Sequence, residues 1–280
     1  MVERGDPSAL RWLIGNELRR YRIQAGRTVS DAGGVLACSH AKITHLETGR
    51  YQQQPSEIAS LLEFYDVPRH DIDRLVSLTA SSDARTWWAP WANVVPDWFK
   101  TFVGLEGLAK SEFNYETALL PGLLQTEEYA RAATMATGFV RPDHSERFVS
   151  FRLARADRLA AAQPLGFHAV IEESALLRHI GDDEIRRDQY RHLLEVAERS
   201  NVTIQVIRPQ DGPHAAVSGP FFLFEFDAAK PIGYTELLDG AVYLQDPDQV
   251  STYMMTAKNL QETAMQPDDS LALIRKLVET

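Results

Sequence analysis

The sequence predicts an all-α helix-turn-helix bundle of five helices followed by a larger α+β domain with a mixed sheet. Three observations carry that expectation. Two short, capped helices joined by about three residues stand near the start of the chain. Hydrophobic spacing turns from helical to strand-like beyond Gly166. Composition breaks after Ala80, where a small polar run gives way to Trp87, Trp88, Trp91 and Trp98, four of the five tryptophans. The division expected is a bundle over residues 1–80, a Trp/Pro-rich strap over 81–97 that packs onto the second domain, and that α+β effector or partner-binding domain over 98–280.

In the first eighty residues, Leu10, Leu13, Ile14 and Leu18 recur at helical spacing, and Gly26 supplies the stop. Thr28 is a natural N-cap for a short helix through Leu36. Ser39 caps a third helix over His40 to Thr48, closed by Gly49. Ile43 and Leu46 are spaced to face inward, which leaves His40, Ala41, Lys42, Thr44 and His45 outward. Pro55 and Ser56 open a fourth helix carrying Ile58, Leu61, Leu62 and Tyr65, and Ile72, Leu75, Val76 and Leu78 mark a fifth. Gly33 and Gly34 weaken the second helix by about 1 kcal/mol each relative to alanine.

Farther along, Trp98, Phe99, Phe102, Leu105 and Leu108 share a helical face, Thr126 caps a helix to about Ala136, and a long helix is expected from Asp143 to Ala162. Its Arg147, Arg152, Arg155 and Arg158 spread over more than one face, either as a buried anion site or as a solvated surface. Phe167–Ile171 and Val202–Ile207 read as strands around a helix from Glu184 to Ser200, a parallel pair with a helical crossover. Phe221–Phe226, Ile232–Leu237 and Ala241–Leu244 extend the sheet as a meander. Helices over Pro247–Ala264 and Asp269–Val278 complete the chain.

The 280 residues carry 29 Lys+Arg against 39 Asp+Glu, a net charge of -10, which excludes a uniformly basic nucleic-acid coat protein. The negative charge is uneven. Residues 1–80 are balanced, and residues 10–50 hold seven basic side chains against three acidic ones, so only that segment faces phosphate comfortably. Cys38, the one cysteine, makes no internal disulfide or thiolate zinc cluster and fits a reducing compartment. The start lacks an apolar signal core, and no stretch approaches the roughly 18 apolar residues of a membrane span. A cytoplasmic, nucleoid-associated protein without a membrane partner is the expectation.

Signatures of catalysis are missing from the sequence: it contains no His-Glu-x-x-His, no Gly-x-x-x-x-Gly-Lys and no Gly-x-Gly-x-x-Gly after a strand. His40-Ala-Lys42 matches half of a phosphodiesterase motif but lacks its downstream aspartate. No enzyme activity, cofactor or metal is expected. Glu172 and Glu173 either pair with Arg178 or simply charge a helix N-terminus. The Gly-rich loop Gln210–Gly219 reads either as a mouth or lid or as an ordinary flexible connection. Trp87, Trp88, Trp91, Arg178 and His214 are the candidates for ligand or partner contact.

Ser39-His-Ala-Lys-Ile-Thr-His-Leu-Glu-Thr-Gly-Arg50, with Pro55 and Leu61-Leu-Glu-Phe-Tyr-Asp-Val-Pro68 behind it, resembles the xenobiotic-response-element helix-turn-helix family of phage-repressor type. The resemblance implies major-groove contacts from Ser39, His40, Ala41, Lys42, Thr44 and His45, and phosphate contacts from Arg27, Thr28 and Arg50. Departures from the family pattern are Val29, the Ala32-Gly33-Gly34 run, and Ala37 where the turn usually carries glycine. Leu120-Pro-Gly-Leu-Leu-Gln-Thr-Glu-Glu-Tyr-Ala-Arg-Ala132, Ile171-Glu-Glu-Ser-Ala-Leu-Leu-Arg178 and Gly219-Pro-Phe-Phe-Leu-Phe-Glu-Phe226 resemble the C-terminal domain of the WhiJ-like regulators of Streptomyces. Together the resemblances imply a double-stranded-DNA-binding transcriptional regulator, a homodimer on paired half-sites, whose acidic C-terminal domain is gated by a small co-encoded protein or a small-molecule ligand. The alternative they imply is an antitoxin-like protein that sequesters a small partner and autoregulates its operon.

Overall fold

The computed structural model describes residues 7–80, 87–137 and 140–279. They form two compact units. The fold class is the one the sequence predicts: a helical bundle, then an α+β unit with a six-stranded mixed sheet.

In the first unit the helices are α1 (Pro7–Gln24), α2 (Val29–Val35), α3 (His40–Glu47), α4 (Pro55–Phe64) and α5 (Arg69–Ala80). Ile14, Leu18, Ile43, Leu46, Ile58, Leu61, Leu62 and Leu75 are fully enclosed and make one core. The caps are where the sequence puts them. Thr28 Oγ1 accepts from the Asp31 amide at 3.1 Å while the Asp31 carboxylate accepts from the Thr28 amide at 2.8 Å, a reciprocal capping box. The Ser39 hydroxyl accepts from the Lys42 amide at the start of α3. Gly49 closes α3 at φ +70°, and a Cβ there would lie 2.7 Å from the Trp12 amide nitrogen, so only glycine fits.

This unit also takes in α6 (Asp97–Leu108) and the turn Phe226–Lys230, both of which the sequence reading places with the second domain. Arg74 of α5 donates to both oxygens of Glu17 on α1, at 2.7 and 2.9 Å, and to the Ala228 carbonyl at 2.7 Å, which joins that turn to the bundle. The expected strap is not one piece. Residues 81–86 lie outside the described residues, Trp87–Pro90 belong to the first unit, and Trp91–Pro96 belong to the second.

The second unit is built on strands β1 (Ser111–Glu116), β2 (Gly166–Glu172), β3 (Val202–Ile207), β4 (Phe221–Glu225), β5 (Ile232–Leu237) and β6 (Gly240–Leu244), in the order β3-β2-β1-β4-β5-β6. β1, β2 and β3 run parallel, and β4, β5 and β6 continue antiparallel from β1. The crossover between β1 and β2 carries α7 (Glu127–Thr137) and α8 (Ser145–Ala156). That between β2 and β3 carries α9 (Glu173–Leu177) and α10 (Asp183–Ala197), and α11 (Pro247–Thr263) and α12 (Pro267–Val278) come after the sheet.

Two expectations change. The long helix expected over Asp143–Ala162 is α8 with a 3-10 turn at each end, Pro142–His144 and Asp157–Ala160. Central strand β1 has no counterpart in the sequence reading.

The helix-turn-helix glycines divide into two kinds. A Cβ on buried Gly33 would lie 2.9 Å from the Cys38 carbonyl oxygen, whereas one on Gly34 meets nothing within 4 Å. Ala37, at φ +48°, occupies the left-handed conformation that glycine adopts at less cost. Gly34→Ala and Ala37→Gly should therefore each stabilise the bundle by about 1 kcal/mol, and Gly33→Ala should destabilise it by at least as much. Urea unfolding of the three variants checks the ranking. Equal effects of Gly33→Ala and Gly34→Ala would contradict this packing of α2.

Candidate nucleic-acid interface

The third helix is anchored at its inner end and open at its outer one. Glu47 is buried, and Arg22 of α1 grips its carboxylate with Nε at 2.5 Å and Nη2 at 2.9 Å. The carboxylate raises the Arg22 pKa further, so the guanidinium keeps its charge throughout the accessible pH range. Arg22 Nη1 also donates to the Arg27 carbonyl at 2.9 Å, which ties the entry to α2 to the same joint. Gln53 Nε2 donates to the Leu46 and Arg11 carbonyls, at 2.7 and 3.0 Å, and finishes the C-terminal end of α3.

The outer end carries the residues that the resemblance places in the groove. Ser39, His40, Ala41 and Thr44 are exposed. The Thr44 hydroxyl donates back to the His40 carbonyl at 3.0 Å. Lys42 is half-buried with Nζ donating to Glu57 of α4 at 2.5 Å, a bond that raises its pKa. His45 is also half-buried, its ring set edge-on to Tyr51 at 4.5 Å. Four of the six predicted base contacts are therefore open to solvent, while Lys42 and His45 are held against the protein's own side chains.

Among the predicted phosphate contacts, Arg27, Thr28 and Arg50 are all exposed. Arg27 stacks its guanidinium 4.7 Å from the Phe64 ring centre, and Thr28 is occupied by its capping box. Arg19 joins Arg27 and Arg50 as an exposed cation without an ion pair among the described residues. Sequence reasoning passes over Tyr51, which is 49% exposed beside His45, and over Glu57 as the counter-ion of Lys42. The polar Tyr51-Gln-Gln-Gln run is a usable signal for the former. No local signal exists for a partner fifteen residues away.

The candidates for ligand or partner contact do not converge. Trp88 is buried under Lys100 in the first unit, whereas Trp91 packs against Phe151 in the second. Arg178 is exposed at the end of α9 and makes no ion pair with Glu172. That carboxylate instead accepts from the Tyr115 hydroxyl at 2.7 Å and lies 3.2 Å from His214 Nε2. The other ring nitrogen of His214 accepts from the Ala216 amide, so both nitrogens are engaged and the Gln210–Gly219 loop is pinned to the sheet. A groove of about 760 Å³ lies at the opposite ends of β1 and β2, where His168 bonds Gln205 and Ser111 bonds Glu225. Burial lowers the His168 pKa, which keeps it neutral. Of the four arginines around α8, Arg147 is exposed and Arg158 bonds the Ala109 carbonyl, while Arg152 and Arg155 turn inward.

A capped helix pair with an exposed second helix, joined to a mixed-sheet unit, is the architecture of a DNA-binding helix-turn-helix protein with a second domain. Comparison with known families agrees: residues 13–75 match a helix-turn-helix domain, and residues 99–276 match a domain of unknown function (DUF5753). The chain belongs to that DUF5753 family. No curated protein and no solved structure matches it. No helix among the described residues is long and apolar enough to cross a membrane.

Replacing Glu47 by glutamine leaves the Arg22 charge enclosed without its counter-ion, at a cost of about 3 kcal/mol. Amides of α1 and α3 should lose hydrogen-exchange protection together in Glu47→Gln. Protection unchanged from the parent chain would show that the pair does not hold α3.

Proposed function

We propose that the chain is a sequence-specific DNA-binding transcriptional regulator of the WhiJ-like kind, with α3 in the major groove and Arg27, Thr28 and Arg50 on the flanking phosphates. The observation that carries this reading is the outer end of α3, where Ser39, His40, Ala41 and Thr44 stand exposed while Glu47 is locked inward. Short side chains at a helix N-terminus let the backbone approach base edges closely, and the exposed arginines supply the sequence-independent attraction. Lys42 reaches a base by exchanging Glu57 for it. Exchange of one charged partner for another adds less to affinity than a free lysine would, but it penalises sites that offer no acceptor.

One module of this size reads few base pairs, so paired half-sites on a homodimer complete the specificity. The second unit gates binding through a small protein or ligand and performs no catalysis of its own. This nucleoid-associated regulator works in the cytoplasm.

The test is selection of bound fragments from random duplex DNA with the full chain, followed by titrations at several salt concentrations. Arg27→Ala and Arg50→Ala should each weaken binding to every sequence and lower the slope of log K against log salt by about 0.9. Ala41→Lys or His40→Ala should change which sequence is preferred. Retention of the parent's preference and salt slope in all four variants would remove α3 from the interface.

A further inference from the structure

Polar side chains gather on one covered face of the second unit's sheet. Glu112, Asn114 and Glu116 alternate on β1 and point away from the Phe113–Tyr115 side, which belongs to an apolar core. Asn114 is in register with Phe222 of β4, and Phe222 with Tyr234 of β5. Glu116 and Glu236, each two residues on, therefore share the next row, about 10 Å apart across β4 at ordinary strand spacing. Asn114 is 1% exposed, and its Oδ1 has no partner among the described residues. Glu116 likewise accepts no hydrogen bond and makes no ion pair there.

Arg152 of α8 lies within electrostatic reach of both carboxylates. Its Nη1 donates to Gln125 Oε1 at 2.7 Å and its guanidinium stacks on Phe148, but Nε has no partner and no carboxylate bonds it among the described residues. The unused edge, Nε with Nη2, is the edge by which Arg22 holds Glu47 in the other unit. Glu116 and Arg152 keep some accessible surface, and Glu236 is exposed, so the polar row reaches the protein surface at β5. Tyr234 donates to Glu236 at 3.0 Å.

We propose that this polar row binds a small zwitterion of amino-acid type, its carboxylate on the Nε/Nη2 edge of Arg152 and its ammonium between Glu116 and Glu236. Asn114 Oδ1 takes a further N–H of the same molecule. A simple anion leaves Glu116 and Asn114 unsatisfied, and a simple cation leaves Arg152 so; a molecule with both groups satisfies all three.

The electrostatics give this a pH signature. Glu116 is within electrostatic reach of Glu236 on β5, Arg152 on α8 and Tyr129 on α7, while Arg155 of α8 and Tyr243 of β6 act on neighbouring Tyr234. Burial and the Glu236 charge together push its carboxyl up to about 8. The ammonium needs Glu116 ionised, so the unliganded carboxyl must lose its proton on binding at neutral pH. Affinity rises roughly tenfold per unit between pH 6 and pH 8 and levels off above.

The experiment uses the full chain without DNA, so its outcome is independent of the DNA-binding reading. The twenty standard L-amino acids are screened singly by thermal shift at about 10 mM, with acetate and methylammonium as half-ligands, and any hit is titrated calorimetrically. At least one amino acid should bind where neither half-ligand does. At pH 7 binding should release close to one proton, seen as a dependence of the heat on the buffer's ionisation enthalpy. Glu116→Gln should abolish that release, and Arg152→Lys, which keeps the charge but loses the fork, should weaken binding at least tenfold. Both variants are checked for parental circular dichroism. Absence of binding by all twenty, equal binding of acetate, or binding indifferent to pH and to both substitutions would each overturn the proposal.

Discussion

The Arg22–Glu47 pair is the joint on which the first unit turns. A buried ion pair gains little over well-packed apolar residues, but losing one partner is costly, so its value here is geometric. Two parallel bonds fix the angle between the last turn of α1 and the last turn of α3, and the third bond, to the Arg27 carbonyl, sets where α2 begins. Gly49 lets the end of α3 approach the Trp12 backbone at a distance no side chain permits. With its C-terminal half held this way, α3 can leave its N-terminal half exposed without losing its own alignment. That combination of a fixed axis and an open end is what reading a groove requires.

How much of this is legible in the sequence depends on whether the signal is local. The capping oxygens of Thr28 and Ser39, the stops at Gly26 and Gly49, and the inward Ile43 and Leu46 each act within four residues, and each stands where the spacing puts it. Lys42 and His45 also point outward on the wheel. Their tethers, Glu57 and Tyr51, arrive only when the chain returns past α3, and nothing in the spacing of α3 announces them. The tryptophan strap fails as a unit for the same reason: neighbouring rings go to different units because Trp88 finds Lys100 and Trp91 finds Phe151.

In the second unit the parallel pair β2–β3 and the meander are readable from apolar runs bounded by Gly, Pro and Asn. β1 escapes because Ser111-Glu-Phe-Asn-Tyr-Glu116 is short and half polar. Alternation of that kind implies a strand with one wet face, yet Glu112 and Asn114 are 2% and 1% exposed. Arg152 of α8 and Tyr129 of α7 come within electrostatic reach of Glu116 in the same row of polar residues. A central strand that buries carboxylate and amide groups contradicts its own pattern, and such contradictions concentrate where a fold gives up stability for a site.

The same residue type makes the contrast between the two units concrete. Arg22 is enclosed with a carboxylate on its side-on edge, which raises its pKa and makes it a fixed strut. Arg152 is enclosed with that edge unused, and burial together with Arg155 brings its pKa down to about 10. The nearby carboxylates do not offset this because they attract it from a distance without bonding it. A guanidinium left so in a purely structural core would be replaced at little loss by an apolar side chain. Its presence near Glu116, whose carboxyl is pushed to about 8 and so keeps its proton near neutrality, leaves a cation and a carboxyl group unjoined, and a third party that draws off that proton and bridges them recovers what each lacks.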